Sequence, residues 1–80
     1  MPKFRKKPVV IEAVQWMGGE QIPPAPHSLL RETWTKHWDL QTLEGWYRLT
    51  PLDWIICGVK GEFYPCKPDI FEATYEAVEE

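Results

Sequence analysis

From Pro8 to Trp16 the chain reads Pro-Val-Val-Ile-Glu-Ala-Val-Gln-Trp, a run rich in β-branched residues. Such residues suit a pleated, partly buried strand. Met17-Gly18-Gly19 breaks the run, and Ile22-Pro23-Pro24-Ala25-Pro26 follows. Its prolines lack the amide donors that a sheet interior needs, so this stretch is expected to loop over the surface. His27 to Glu32 then places helix-forming residues behind a proline, which predicts one or two helical turns.

Two hairpins are predicted next. His37 to Leu43 alternates loosely and runs into Glu44-Gly45, a two-residue turn signal ahead of Trp46-Tyr47-Arg48-Leu49. Centred on that turn, Leu43 opposes Trp46, Gln41 opposes Arg48 and Leu40 opposes Leu49. Thr50-Pro51-Leu52 makes a corner. Asp53 to Cys57 is then apolar on both faces, as at the centre of a sheet. Val59-Lys60-Gly61 turns the chain again, and Glu62 to Cys66 returns antiparallel, with Pro65 implying an edge or a bulge.

Pro68 to Val78 fits two periods. Phe71, Tyr75 and Val78 make a helical stripe, whereas Phe71, Ala73, Tyr75 and Ala77 alternate strictly. Pro68 and Asp69 suit a helix start, so a helical turn followed by a short extended end is expected. The pattern as a whole predicts an α+β fold. About five antiparallel strands carry one or two short helices, as a small half-open barrel or a sheet covered on one face.

A chain of 80 residues is long enough for one core and too short for two, so residues 1–80 are expected to form a single domain. With 44% hydrophobic and 26% charged residues, the composition is that of a folded globular protein. No apolar run approaches the ~18 residues of a membrane-spanning helix, and the basic N-terminus lacks a secretory apolar stretch, which together predict a cytoplasmic protein. The net charge of −3 argues against broad affinity for nucleic acid. The five tryptophans exceed what so small a core can hide, so some indole surface is expected to be exposed or covered by a partner, including a second copy of the chain.

Candidate chemistry is sparse. Cys57 and Cys66 flank the second hairpin and invite a disulfide, but the register opposes one. With a Lys60-Gly61 turn they are diagonal neighbours; with Gly61 as a bulge after a Val59-Lys60 turn they lie on opposite faces. Neither register places them directly opposite, and free thiols are expected. His27, His37 and the two cysteines show no paired spacing for a metal. Cys57 falls in a core-like strand where a thiol is inert, and Asp53 and Glu44 read as solvated turn carboxylates, so no enzyme, cofactor or catalytic residue is expected. The remaining candidates for binding are basic and aromatic. Arg5, Lys6 and Lys7, with Lys60 and Lys67, would gather into a positive surface if the first strand lay beside the second hairpin. Trp46, Tyr47 and Trp54 would be available to stack on a ligand there, or to serve as core and interface.

Phe4 to Trp16 and Gly58-Val-Lys-Gly-Glu-Phe-Tyr-Pro-Cys-Lys-Pro-Asp-Ile-Phe-Glu-Ala-Thr-Tyr-Glu76 resemble a family of small tailed-phage and prophage proteins of uncharacterised function. Thr42 to Gly45 and Pro51 to Ile56 are similar to the same pattern, whereas Gly18 to Trp38 is not. The family usually shows Pro-Gly-Asp where this chain has Pro51-Leu52-Asp53, which leaves the turn geometry open because Leu resists the positive φ that Gly allows. The resemblance implies a phage origin and the cytoplasm of an infected host, and it brings no catalytic residues. Taken with the tryptophan surplus, it leads to the expectation of a non-enzymatic accessory protein that binds a host or phage protein. The alternative is a small-ligand or nucleotide-binding, sequestering domain built on the basic arm and exposed aromatics.

Overall fold

A computed structural model describes residues 1–3 and 10–78. The described residues form six strands, β1 (Glu12–Gln15), β2 (Leu30–Glu32), β3 (Trp38–Thr42), β4 (Gly45–Arg48), β5 (Trp54–Cys57) and β6 (Phe63–Cys66), followed by helix α1 (Pro68–Thr74). They make two antiparallel three-stranded sheets, ordered β1-β5-β6 and β2-β3-β4. The α+β class is as expected, with six strands rather than about five. The additional strand is β2. Only His27–Leu29 coils, as one 3-10 turn. Leu30 then extends and pairs with Leu40, because cross-strand partners for Leu30 to Glu32 outweigh a helix too short to bury a face.

β1 pairs with β5, placing Val14 opposite Ile55 and Glu12 opposite Cys57. The first strand therefore lies beside the second hairpin, and the apolar Ile55-Ile56 strand is central. Residues 4–9, including Pro8 and Val9 of the expected strand and the basic Arg5, Lys6 and Lys7, lie outside the described residues.

The β5–β6 hairpin takes the register with Gly61 as a bulge. Cys57 opposes Phe63, and Cys66 opposes Trp54. Gly61 sits at φ +80° behind the Val59-Lys60 turn, and its amide donates to Gly58 O at 3.0 Å. The thiols are free and on opposite faces, since alternate residues of a strand point apart. Pro65 is tolerated because β6 is an edge strand. The Gly58 amide bonds Glu62 O at 2.7 Å, so by alternation Pro65 opposes Ile55 at a position where the ladder asks for no amide hydrogen.

The β3–β4 hairpin corrects the expected register. Thr42 opposes Gly45, Gln41 opposes Trp46 and Leu40 opposes Tyr47, so the turn is Leu43-Glu44. A Glu44-Gly45 turn of the favoured primed type would force Glu44 to positive φ. Here Gly45 alone takes it, at φ +120°, and the turn residues stay in the region open to any side chain. Thr42 locks the turn, its hydroxyl donating to Gly45 O at 3.0 Å and accepting from the Glu44 amide at 3.1 Å. The slip is by two residues, which keeps Leu40 on the face predicted for it.

One core joins the two sheets. Trp16, Leu40, Leu49 and Ile55 form its buried centre, with Leu29, Leu30, Trp38 and Phe63 packed around them. The other face of β1-β5-β6 is covered by α1. Pro68 starts that helix, Asp69 sits in its first turn, and the chain leaves it extended at Tyr75, as the sequence predicts. Phe71 and Tyr75, one helical turn apart, stack in series beneath Trp54: the Trp54 and Phe71 rings are 4.1 Å apart at 7°, and the Phe71 and Tyr75 rings 5.0 Å apart.

Thr50 to Asp53 form the corner between the sheets. The Asp53 amide donates to Thr50 O at 3.1 Å, Pro51 holds the second position and Leu52 the third at φ +75°, the geometry of a type II turn. Leu52 thus adopts the conformation that glycine favours. Gly18 packs against this corner at φ +83°, where a Cβ would come within 2.7 Å of the Pro51 ring.

Candidate functional site

Asp53 is not the solvated turn carboxylate the sequence suggests. It is 1% exposed, because a carboxylate facing two free donors of its own turn can be enclosed once all its bonds are met. Its oxygens accept from the Thr50 amide at 2.9 Å, the Thr50 hydroxyl at 3.1 Å and Lys67 Nζ at 3.1 Å. Lys67 also donates to the Thr50 hydroxyl at 2.8 Å. The group ties the corner between the sheets to the residue preceding α1.

A second charged group crosses the outer face of β2-β3-β4. Arg31, Asp39 and Arg48 are aligned across the three strands. Arg31 Nε donates to Asp39 Oδ2 and Arg48 Nε to Oδ1, each at 3.0 Å. The two guanidiniums cover Asp39, which is 5% exposed. Burial pushes the Asp39 carboxyl up, but the bonds and charges of Arg48 and Arg31 outweigh it and hold the group below the ordinary range. Arg31 also lies 4.2 Å over the Trp46 ring, a cation–π contact that covers one face of that indole.

A cleft of about 520 Å³ opens between the β3–β4 hairpin and β6. Its walls include Tyr47 and Arg48 on one side and Phe63, Tyr64 and Cys66 on the other, with Glu44, Glu62, Asp53 and Lys67 around them. Arg48 is committed to Asp39 and Lys67 to Asp53. Glu44 accepts from the Tyr47 hydroxyl at 3.2 Å and Glu62 from the Lys60 amide at 3.0 Å, and neither has a cationic side-chain partner among the described residues. Burial pushes the Tyr64 phenol up to about 12, with the Tyr75 hydroxyl and Glu62 adding to the rise. Burial, then Asp53 and Asp69, raise the Cys66 thiol above its usual value.

The third feature is Trp34, whose indole is 95% exposed at the tip of the β2–β3 hairpin. The loop beneath it is tightly bonded. The Thr33 amide donates to His37 O at 2.7 Å and the Lys36 amide to Thr33 O at 2.8 Å. The His37 amide donates to the Thr33 hydroxyl at 3.2 Å, and the Thr35 hydroxyl bridges Thr33 Oγ1 and His37 Nδ1 at 3.0 and 2.8 Å. Lys36 closes the turn at φ +63°.

The sequence-predicted binding residues fall on several surfaces. Tyr47 and Lys67 line the cleft together. Trp46 is on the opposite face of β4, beneath Arg31. Trp54 is stacked on Phe71, with an indole N–H that has no acceptor among the described residues. Lys60 is exposed in the β5–β6 turn, and Arg5, Lys6 and Lys7 lie outside the described residues. Sequence reasoning missed Arg31, Asp39 and Arg48 as a set. A β3–β4 turn centred on Leu43-Glu44 would have placed Arg48 opposite Asp39.

Among the described residues no group of three His, Cys, Asp or Glu side chains is gathered as metal ligands, and no helix is long and apolar enough to cross a membrane. These features define a small α+β protein of two packed antiparallel sheets. No protein-family model, no curated protein and no solved structure matches the chain.

Proposed function

We propose that this chain is a non-enzymatic accessory protein, of the small tailed-phage kind its terminal segments resemble, that acts by binding another protein of the phage or its host. The observation that carries this reading is Trp34. Exposing an indole forgoes the stabilisation of burying a large apolar surface, and the bonded loop beneath it fixes the backbone from which the ring projects. Tryptophan and arginine are the residues that most often anchor protein interfaces, and a loop whose backbone is already ordered loses less entropy on docking. Affinity capture from bacterial lysate with the wild-type chain and a Trp34→Ala variant tests it. The expected result is a discrete protein retained by the wild type and lost by the variant, with both chains folded by circular dichroism. Absence of any stable protein partner at every salt concentration overturns the reading.

A second reading is a small-ligand or nucleotide-binding domain, supported by the cleft, whose volume lies within the range of small-molecule sites and whose wall carries Tyr47, Arg48 and Lys67. Glu44 and Glu62, which have no cationic side-chain partner among the described residues, oppose a nucleotide. A thermal-shift screen over nucleotides tests this reading, and an unmoved melting temperature for all of them retires it.

A further inference from the structure

The cleft runs along a strand edge rather than over a sheet face. Every residue from Phe63 to Cys66 lines it, and since successive side chains of a strand point to opposite faces, only a cleft beside the edge meets all of them. Among the described residues β6 pairs with β5 on one side and hydrogen-bonds to no strand on the other. The bond between the Gly58 amide and Glu62 O sets the alternation of the β5–β6 ladder, so the amide and carbonyl of Phe63 and the carbonyl of Pro65 point outward to the open side. An open edge with unpaired backbone groups is a template for a further strand.

We infer that the β6 edge accepts an extended, basic segment of a partner protein as an added strand. Charge selects the occupant. Lys67 is held by Asp53 and Arg48 shares Asp39 with Arg31, while among the described residues Glu44 and Glu62 have no cationic side-chain partner to set against an incoming chain. Lysine or arginine side chains on alternate positions of the added strand reach those carboxylates. The four residues of β6 span about 13 Å at the usual strand rise, enough for a short segment held by the Phe63 amide, the Phe63 carbonyl and the Pro65 carbonyl. This site rests on the protein-binding reading in one respect, that its occupant is a protein segment, and it is separate from Trp34.

The test is an amide-resolved NMR titration of the full chain. The probes are a capped peptide of about seven residues alternating lysine with threonine or valine, its glutamate counterpart, and the lysine peptide N-methylated on alternate amides. The lysine peptide is expected to shift the amide signals of Phe63 and Arg48 while leaving the Trp34 indole signal in place. The double variant Glu44→Gln, Glu62→Gln keeps both acceptors and removes both charges, and is expected to weaken binding about fivefold. N-methylation is expected to abolish the Phe63 shift. An unmoved Phe63 amide, equal shifts with the glutamate peptide, or full binding of the N-methylated peptide overturns the inference. So does concentration-dependent broadening of β6 without any peptide, which would assign the edge to a second copy of this chain. Capture that depends on Trp34 with an inert β6 edge would remove this site and leave the proposed function standing.

Discussion

Leu52 is held at φ +75° in the third position of the Thr50–Asp53 turn, and the most informative perturbation there is the pair Leu52→Ala and Leu52→Gly. Both variants lose the same half-exposed side chain beyond Cβ, so its packing cancels between them. At an ordinary position alanine is the more stable of the two by about 0.4–1 kcal/mol, because glycine loses more chain entropy on folding. In the left-handed region the Cβ of alanine costs about 1–2 kcal/mol that glycine does not incur. The difference therefore reverses sign at Leu52, and Leu52→Gly is expected to exceed Leu52→Ala by about 0.5–1 kcal/mol. For a domain of this size that is a Tm difference of roughly 3–6 °C. Urea titration followed by tryptophan fluorescence measures it, with equal slopes for the two variants showing that the unfolded states are comparable. An alanine variant as stable as the glycine variant, or more so, would refute the positive φ and with it the type II corner joining the sheets.

Other consequences follow from the same geometry. Gly18→Ala combines a left-handed backbone with a Cβ 2.7 Å from Pro51 and is expected to destabilise by more than about 2 kcal/mol in the same titration. Asp39 has its folded pKa depressed, so its contribution to stability is present above the unfolded value and is lost as pH falls through the folded one. Arg48→Met is expected to raise that pKa, read from the carboxyl carbon chemical shift, and an unchanged titration would remove Arg48 from the account. Tyr64, raised to about 12, contributes stability that is present below the ordinary value of 10.0 and lost as pH rises toward 12. Ultraviolet titration of Tyr64→Phe should lack the most alkaline phenol step of the wild type. The Cys66 thiol, raised by burial and by Asp53 and Asp69, is expected to react slowly with iodoacetamide at neutral pH and faster as pH rises, and rapid labelling at neutral pH would contradict that.

The parts of the fold legible in the sequence are those fixed by local chemistry. Apolar positions on both faces of Ile55-Ile56 mark a central strand, Pro65 marks an edge, Pro68 with Asp69 marks a helix start, and Gly61 admits the register in which the cysteines face apart. Two features depend on partners distant in the chain and were misread. Leu30 to Glu32 has too few residues to show a period, and only pairing with β3 makes it a strand. Glu44-Gly45 resembles a two-residue turn, yet one positive φ at Gly45 shifts the turn to Leu43-Glu44. That misreading hid the Arg31–Asp39–Arg48 alignment, since three strands must be in register before it can be seen. Burial of Asp53 was equally hidden, because Lys67, its cationic partner, comes from the other side of β6. Trp34 gave no local signal beyond being one indole among five.

The proposed function places the docking of a partner protein at the Trp34 tip. Replacing Trp34 with a photo-activated benzophenone amino acid and irradiating bacterial cells that express the chain tests it without depending on affinity after lysis. The expected result is one discrete heavier adduct, absent when the same group stands at exposed Val59 on the β5–β6 turn. A chain that forms no adduct from position 34, or the same diffuse adducts from both positions, would contradict it.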